Sequence, residues 1–531
     1  MAARRALSFP AVSRPPNPES PPASRRAIVA VGLPAVVALA YGLAHLNWYL
    51  GTPLGRVPVL DERENLDLAA AIVNGSLPAE PFYRAPGYAL VLAGIRQLGV
   101  PALGLFPAAL LFGVLLHAVG AAAAALLARR WFGTGAAVVA GLLYALDPVL
   151  VHYATQALDA TLGLTLFLLG LNFLAAAWSA PGRVARWIAA SLLWGAAVIV
   201  RPNYLLPWLT LPVLAALAPG LAARRAGLVA AALSGVVFLG AAALWQQRVS
   251  GVAGFLPWQG AYNLWAANRP GANGRYYVQH VSLAPELARA NPARAESVLL
   301  YDEEVPQGPG GIPAMNAHWR SRFLGQVTSH PLSWAKLMAR KTYALLNTWE
   351  QYNNKTFAFH KARSPWLAWN PVCWGLLLVL GVAGAVRLAA ESPRAAGMLA
   401  AVAAATAASI VLFFVSARFR LPLAALLAVL AGGALAAPRF WGGWPAAHRA
   451  GLAAGLALAA LVAFSHFDHV DDRATYAQDH VLLARAAFTV GDDELAIREA
   501  EETLKLQPWH PDAHAILAAA QADLAARAGK P

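Results

Sequence analysis

The chain alternates between long apolar runs and short polar interruptions. From residue 28 to about 465, nearly charge-free stretches of roughly 18 residues or more recur, each long enough to cross a hydrocarbon core near 30 Å thick. Inside lipid every backbone N–H and C=O must be satisfied within its own segment, so these stretches are expected to be helices. The expected spans are 28–50, 103–127, 135–151, 158–178, 187–201, 203–219, 227–246, 366–386, 396–416, 420–437 and 449–466, about eleven in all. The first is longer than a signal-peptide core and reads as an uncleaved anchor. The alternative is that Ala38-Leu39-Ala40 marks a cleavage site.

Two segments break the apolar pattern and are too polar to lie in lipid. Residues 51–102 contain Asp61-Glu62-Arg63-Glu64 followed by an amphipathic stretch with Leu66, Ala69, Ala70 and Val73 on one helical face. Residues 247–365 are rich in Trp, Tyr, Asn and Gly. After the last span the pattern changes again. Residues 477–510 and the stretch from Pro511 look like two copies of one unit offset by 34 residues, with His480/His514, Leu483/Leu517 and Ala484/Ala518 coinciding. That period is the tetratricopeptide repeat, and Gly491, Ala496 and Pro508 fall where it places its turn glycine, small packing residue and terminating proline. The second copy is short. Because about three repeats are usually needed for stability, the module is expected to lean on the membrane domain or on a protein partner.

Composition sharpens this reading. Apolar residues make up 58% and charged residues only 13%, against about 25% charged in a soluble domain. The net charge of +14 raises the question of nucleic acid, but Lys and Arg fall in short clusters between apolar runs instead of along one stripe, so no nucleic-acid partner is expected. Threading the spans alternately puts Arg129/Arg130, Arg183/Arg186, Arg224/Arg225, Arg387/Arg394 and Arg439/Arg449 on the side of the basic N-terminal tail. By the positive-inside rule that side is cytoplasmic. The expected domains are a disordered basic tail (1–27, with Arg4, Arg5, Arg14, Arg25 and Arg26), a membrane domain (28–467) and a repeat domain (468–531). The expected setting is the inner membrane of a bacterial-type cell, with a cytoplasmic N-terminus and an outer, periplasmic C-terminus. Cys373 is the single cysteine, so no disulfide or thiolate metal site is expected.

Candidate chemistry gathers on the outer side. A carboxylate at Asp61 is held at the membrane surface, although Asp61-x-x-Glu64 also fits a capping box. The segment Trp258–Gly274 offers aromatic rings and amides suited to gripping sugars, or simply interface anchors and turn residues. His466, Asp468, His469, Asp471 and Asp472 match no standard zinc spacing and read as a linker. With no Gly-rich phosphate loop and no Gly-x-Gly-x-x-Gly, a nucleotide-sugar donor is unsupported.

Asp61-Glu62, Ala69–Gly75 and Tyr83-Arg84-Ala85-Pro86-Gly87-Tyr88-Ala89-Leu90 together resemble the first outer loop of GT-C glycosyltransferases of the protein O-mannosyltransferase and aminoarabinose-transferase type. The likeness continues in order through Asp147-Pro148 to Asp159, Arg201-Pro202-Asn203, Asn263–Gly274, Arg340-Lys341, Glu350-Gln351-Tyr352-Asn353-Asn354 and Ser416–Pro422, covering roughly residues 30–437. It implies an all-α fold and transfer, with inversion, of a sugar from a polyprenyl phosphate to a protein, lipid or glycan acceptor on the outer face. Asp61 matches the family's catalytic aspartate. Physically it would act as general base on a hydroxyl, with Glu62 beside it and Asp159 as a second acid, unless Asp159 is an ordinary helix-start residue.

A phosphate leaving group needs fixed cations, and Arg201, Lys341, Arg418 and Arg420 sit at the outer membrane edge, where basic residues are less expected. Arg340 is expected to face water or lipid headgroups. The resemblance places Tyr83, Arg84, Asn263, Asn268 and Glu350 toward the sugar or acceptor. No cofactor and no obligatory metal are expected, with a divalent ion left open. The competing readings are a transporter or flippase of lipid-linked sugars, and a scaffold that recruits partners through its repeats.

Overall fold

A computed structural model describes residues 25–99, 104–180, 183–275, 291–306, 308, 310–468 and 475–528. Among them every regular element is helical. Most of the basic tail, residues 276–290 of the second polar segment, and His469, Asp471 and Asp472 lie outside the described residues.

Eight described helices are long and apolar enough to cross a membrane: Arg25–Leu50, Leu105–Phe132, Asp159–Ser179, Leu221–Ser250, Trp374–Glu391, Pro393–Val411, Ala417–Ala436 and Ala446–Phe464. A ninth is bent by 58° between Thr134–Leu146 and Pro148–Ala154. Pro148 lacks the N–H to continue the first helix, and Asp147 caps the second by accepting from Val149 N (2.8 Å) and Leu150 N (3.3 Å). Val184–Val200 and Pro202–Leu217 are shorter apolar helices split at Arg201 by Pro202. Every expected span therefore meets an apolar helix, and the chain is a multi-pass, all-α membrane protein. The largest boundary error is in the span expected at 366–386. It begins at Trp374, because Pro365–Ala368 is a separate short helix and Asn370 after it is buried, donating to the Leu146 carbonyl.

Small residues let these helices approach closely, as membrane packing requires where no hydrophobic force separates helix from lipid. A Cβ on Gly432 would meet Ala140 at 2.5 Å, so Ala417–Ala436 and Thr134–Leu146 pack backbone to backbone there. The basic helix ends collect at one end of the bundle: Trp178 Nε1 donates to the Arg394 carbonyl (3.2 Å), and Arg387 lies over the Phe132 ring (5.1 Å) while donating to Gly433 O.

The two polar segments fold together at the opposite end. Trp258 N donates to Phe82 O (3.0 Å), and the Phe82 ring meets Trp245 at 4.6 Å. The aromatics of 258–265, readable as sugar platforms or interface anchors, join a small core: Trp258, Tyr262, Trp265, Tyr301, Met315 and Trp319 are buried against one another. Three helices follow the last span, Tyr476–Thr489, Asp493–Leu506 and Pro511–Ala528. They pack through Ala484, Ala487, Ala496, Ala500 and Ala513, positions too small to hold the helices apart.

Candidate active site

Asp61 opens the Asp61–Asn74 helix, and the turn before it is unusual. Leu60 has φ 50° and ψ −126°, the only positive φ at a non-glycine among the described residues. A side chain there clashes with its own backbone, at a cost on the order of 1–3 kcal/mol that surrounding contacts must offset. The capping-box alternative fails in detail. Asp61 makes no capping bond, and the reach-back contact is made by Glu62, whose Oε2 accepts from Val59 N (3.3 Å).

The Asp61 carboxylate is instead clamped between two guanidiniums. Oδ1 accepts from Arg84 Nη2 (2.5 Å) and Oδ2 from Arg418 Nη1 (2.8 Å), with Asn354 adding a further hydrogen bond. Burial alone would raise the carboxyl, but Arg84 and Arg418 outweigh it and hold Asp61 well below the usual carboxylate range. Arg84 also pairs with Glu64, whose other oxygen accepts from Asn291 Nδ2 (2.9 Å). Tyr83 donates to Asn291 Oδ1 (3.1 Å).

Beside this clamp stands a second pair. Arg201 Nη1 lies 3.4 Å from Asp159 Oδ1, and its guanidinium stacks 4.6 Å over Phe419, next to Arg418. Asp61, Asp159 and Arg418 each sit in the first turn of a helix, so three positive helix ends converge on one place. Three carboxylates (Asp61, Glu64, Asp159) face three guanidiniums (Arg84, Arg201, Arg418). Buried donors are left over: Arg201 Nη2, Arg418 Nε and the Tyr153 hydroxyl have no hydrogen-bond partner. Spare buried donors at converging helix N-termini favour an added anion.

The other expected site residues are placed differently. Glu62 is sealed in a buried pair: its Oε2 accepts from Lys355 Nζ (2.8 Å), and Oε1 from Ala157 N (3.3 Å). Arg420 binds the C-terminal end of Pro331–Leu346, donating to the carbonyls of Asn347 (2.6 Å) and Trp349 (3.0 Å), pairing with Glu350 (2.7 Å) and stacking on Trp374. Arg420 and Glu350 are thus engaged with each other, and Arg420 Nε remains a buried donor without a hydrogen-bond partner. Lys341 is buried without a carboxylate, donating to Asn268 Oδ1 (3.0 Å) and Phe413 O (2.7 Å), and burial pushes its ammonium down to about 7. Asn268 is fully used, since its amide also donates to Leu264 O and Leu412 O. Asn263 is half-buried on Gln259–Ala266.

Arg340 is paired with Asp468 (2.6 Å), which also binds Arg275 (2.9 Å), so the linker aspartate ties the last span to the outer segment. Among the described residues no group of three or more His, Cys, Asp or Glu is placed to hold a metal. Sequence reasoning missed Glu64, Asn291, Tyr153 and Lys355. Only Lys355, an isolated ammonium inside an aromatic and amide stretch, carried a signal that could have found it.

No protein-family model and no curated protein matches the chain. Among solved structures it is similar to the archaeal oligosaccharyltransferase AglB from Archaeoglobus fulgidus, in complex with an inhibitory peptide and a dolichol-phosphate. That match has 16% identity and a TM-score of 0.39, covering 88% of this chain and 59% of that one. It is also similar to ArnT from Cupriavidus metallidurans bound to undecaprenyl phosphate, with 19% identity and a TM-score of 0.32, covering 78% of this chain and 79% of that one. Both are membrane glycosyltransferases of the GT-C kind that the sequence resembles. The chain spans 59% of the length of the oligosaccharyltransferase, and the likeness is one of helix course.

Proposed function

We propose that the protein transfers a sugar from a polyprenyl-phosphate donor to an acceptor hydroxyl on the outer face of the membrane, with the acceptor a protein, a lipid or a cell-envelope glycan. The observation that carries this reading is the Asp61 carboxylate held by Arg84 and Arg418 (2.5 and 2.8 Å) beside the spare donors of Arg201 and Arg418. A polyprenyl-phosphate sugar carries one negative charge on its phosphodiester. When the C1–O bond breaks, the departing polyprenyl phosphate gains a second. Guanidiniums fixed at that point favour the charge more strongly in the transition state than in the ground state, which is the requirement for catalysis.

The same arginines regulate the base. While both face Asp61 its carboxylate is a weak proton acceptor. A bound phosphate draws Arg418 toward itself, and Asp61 regains basicity when the acceptor arrives. The acceptor O–H proton then passes to Asp61 as the new C1–O bond forms on the opposite face, inverting the anomeric carbon. Asp159 keeps Arg201 oriented, and Lys341 is a reserve cation whose charge an anion would restore. With the basic ends of the helices cytoplasmic, the site faces outward.

The test is transfer from radiolabelled undecaprenyl- and dolichyl-phosphate sugars in membranes containing the wild type and Asp61→Asn. Transfer by the wild type that collapses in a folded mutant supports the reading; equal activity in both removes Asp61 as the base. A flippase is the second reading, favoured by the 58° break at Asp147, since broken helices are a transporter feature. Movement of donor across vesicles without any transfer product would select it.

A further inference from the structure

The C-terminal helices are bound into the membrane domain. Leu482, Leu483 and Ala486 of Tyr476–Thr489 share a core with Tyr49 and Leu54. On the same helix the Asp479 side chain is 0% exposed; its Oδ1 accepts from the backbone N–H of Thr356 (2.8 Å) and lies 3.4 Å from His360 Nε2. The Phe359 ring stands edge-on to Tyr476 and His480. The face of the first repeat that carries Asp479 and His480 therefore grips residues 356–360 of its own chain.

That gripped segment leads directly to the Asp61 turn. Asn354 hydrogen-bonds Asp61. Lys355 donates to Glu62 Oε2 and to the Tyr49 hydroxyl, both at 2.8 Å. Glu62 in turn fixes Val59 N and Ala157 N, the first on the near side of strained Leu60 and the second just before Asp159. Asp479, Thr356, Lys355, Glu62 and Asp61 are all buried. A carboxylate is an expensive group for packing alone, since burial penalises its charge and Oδ2 of Asp479 has no hydrogen-bond partner. What it supplies is a fixed direction at Thr356.

We propose that Asp479 is a positioning residue for sugar transfer, and that the C-terminal repeat unit works in cis by holding segment 354–360 so that Lys355 and Glu62 keep the Asp61 turn in its strained conformation. The proposal rests on the reading of Asp61 as the base, but the mechanical coupling can be measured without any reaction. The full chain in lipid nanodiscs, as wild type, Asp479→Ala and Asp479→Asn, is followed by hydrogen exchange and by donor kinetics. Asp479→Ala is expected to raise exchange over residues 57–66 and to lower kcat by about 10–100-fold with little change in donor KM, because a small misplacement of a base costs that much. Asp479→Asn still accepts the Thr356 N–H and is expected to stay within about threefold of wild type.

If exchange over 57–66 is unchanged in Asp479→Ala while 476–528 loosens, the proposal is overturned and Asp479 serves only the repeat unit. Equal loss in the Asn and Ala variants, with kcat per folded molecule preserved, overturns it too. Raised exchange over 57–66 in a protein whose wild type transfers no sugar supports the coupling and sinks the sugar-transfer reading instead. Should Asp479→Ala fail to fold, Asp479→Glu keeps the charge but displaces its oxygens by one methylene, and the same comparison applies.

Discussion

At the start of Ala417–Ala436 two arginines two residues apart enter two different regions of the molecule. A helix turns about 200° between them. Arg420 points to the C-terminal end of Pro331–Leu346, where it meets backbone carbonyls, Glu350 and Trp374. Arg418 points to the convergence of helix N-termini at Asp61, and each of the two arginines keeps its Nε as a buried donor without a hydrogen-bond partner. Both are cations at a membrane edge, and they differ in the helix ends and partners they meet. A cation bound to carbonyls at a negative helix end holds structure together. One bound to a carboxylate at positive helix ends is available for exchange with another anion.

The sharpest way to break this contrast is Asp61→Asn, which removes the base while Glu64 still pairs with Arg84. Transfer should fall by about 10²–10⁴, with the gel-filtration profile kept. The contrast itself is tested by Arg418→Gln against Arg420→Gln. Arg418→Gln should lower kcat by about 10²–10³ in a well-folded protein. Arg420→Gln leaves Glu350 and several carbonyls unpaired and should instead cost about 3–5 kcal/mol of stability, read as lost yield and a lower melting temperature. If Arg420→Gln folds normally and is as inactive as the Arg418 variant, the two regions form one site and the distinction is wrong.

A smaller effect is expected at Lys341, whose ammonium burial pushes down to about 7 from the ordinary lysine value of about 10.5. Below about pH 7 folded and unfolded chains both hold the proton. Between that point and about 10.5 only the unfolded chain holds it, so stability should rise with pH across the window. Lys341→Met should flatten that rise in thermal melts, and a phosphate ligand that restores the charge should shift the rise upward in the wild type. The smallest effect belongs to Arg340→Ala, because its pair with Asp468 is half exposed and such pairs contribute about 0–1 kcal/mol. A change in melting temperature beyond a degree or two there would mean that Asp468 depends on both of its arginines.

The sequence pattern located the apolar spans well, because lipid imposes one simple demand on every residue of a span and leaves a long, uniform signal. Asp61, Arg84, Asp159, Arg201 and Arg418 each stand out in the sequence as polar residues at span ends against such a background. Glu350 and Arg420, expected at a ligand, pair with each other (2.7 Å), and the aromatics of 258–265 have residue types that suit either a sugar or an internal contact. Nothing in residue type separates Tyr262 and Trp265 in a buried core from rings awaiting a sugar.

What the amino-acid sequence determined by itself was therefore local: hydrophobic length and the polar interruptions between apolar runs. Only the tertiary structure decided which charges meet. Asp61 and Arg418 are separated by 357 positions and touch at 2.8 Å; Lys355 and Glu62 by 293, also at 2.8 Å; and Asp479 reaches Thr356 across 123. Each pairing depends on the packing of helices whose sequences specify an apolar face but not a neighbour. Telling the carboxylate clamped by two guanidiniums from the one sealed against an ammonium thus required knowing which cation the folded bundle brings alongside.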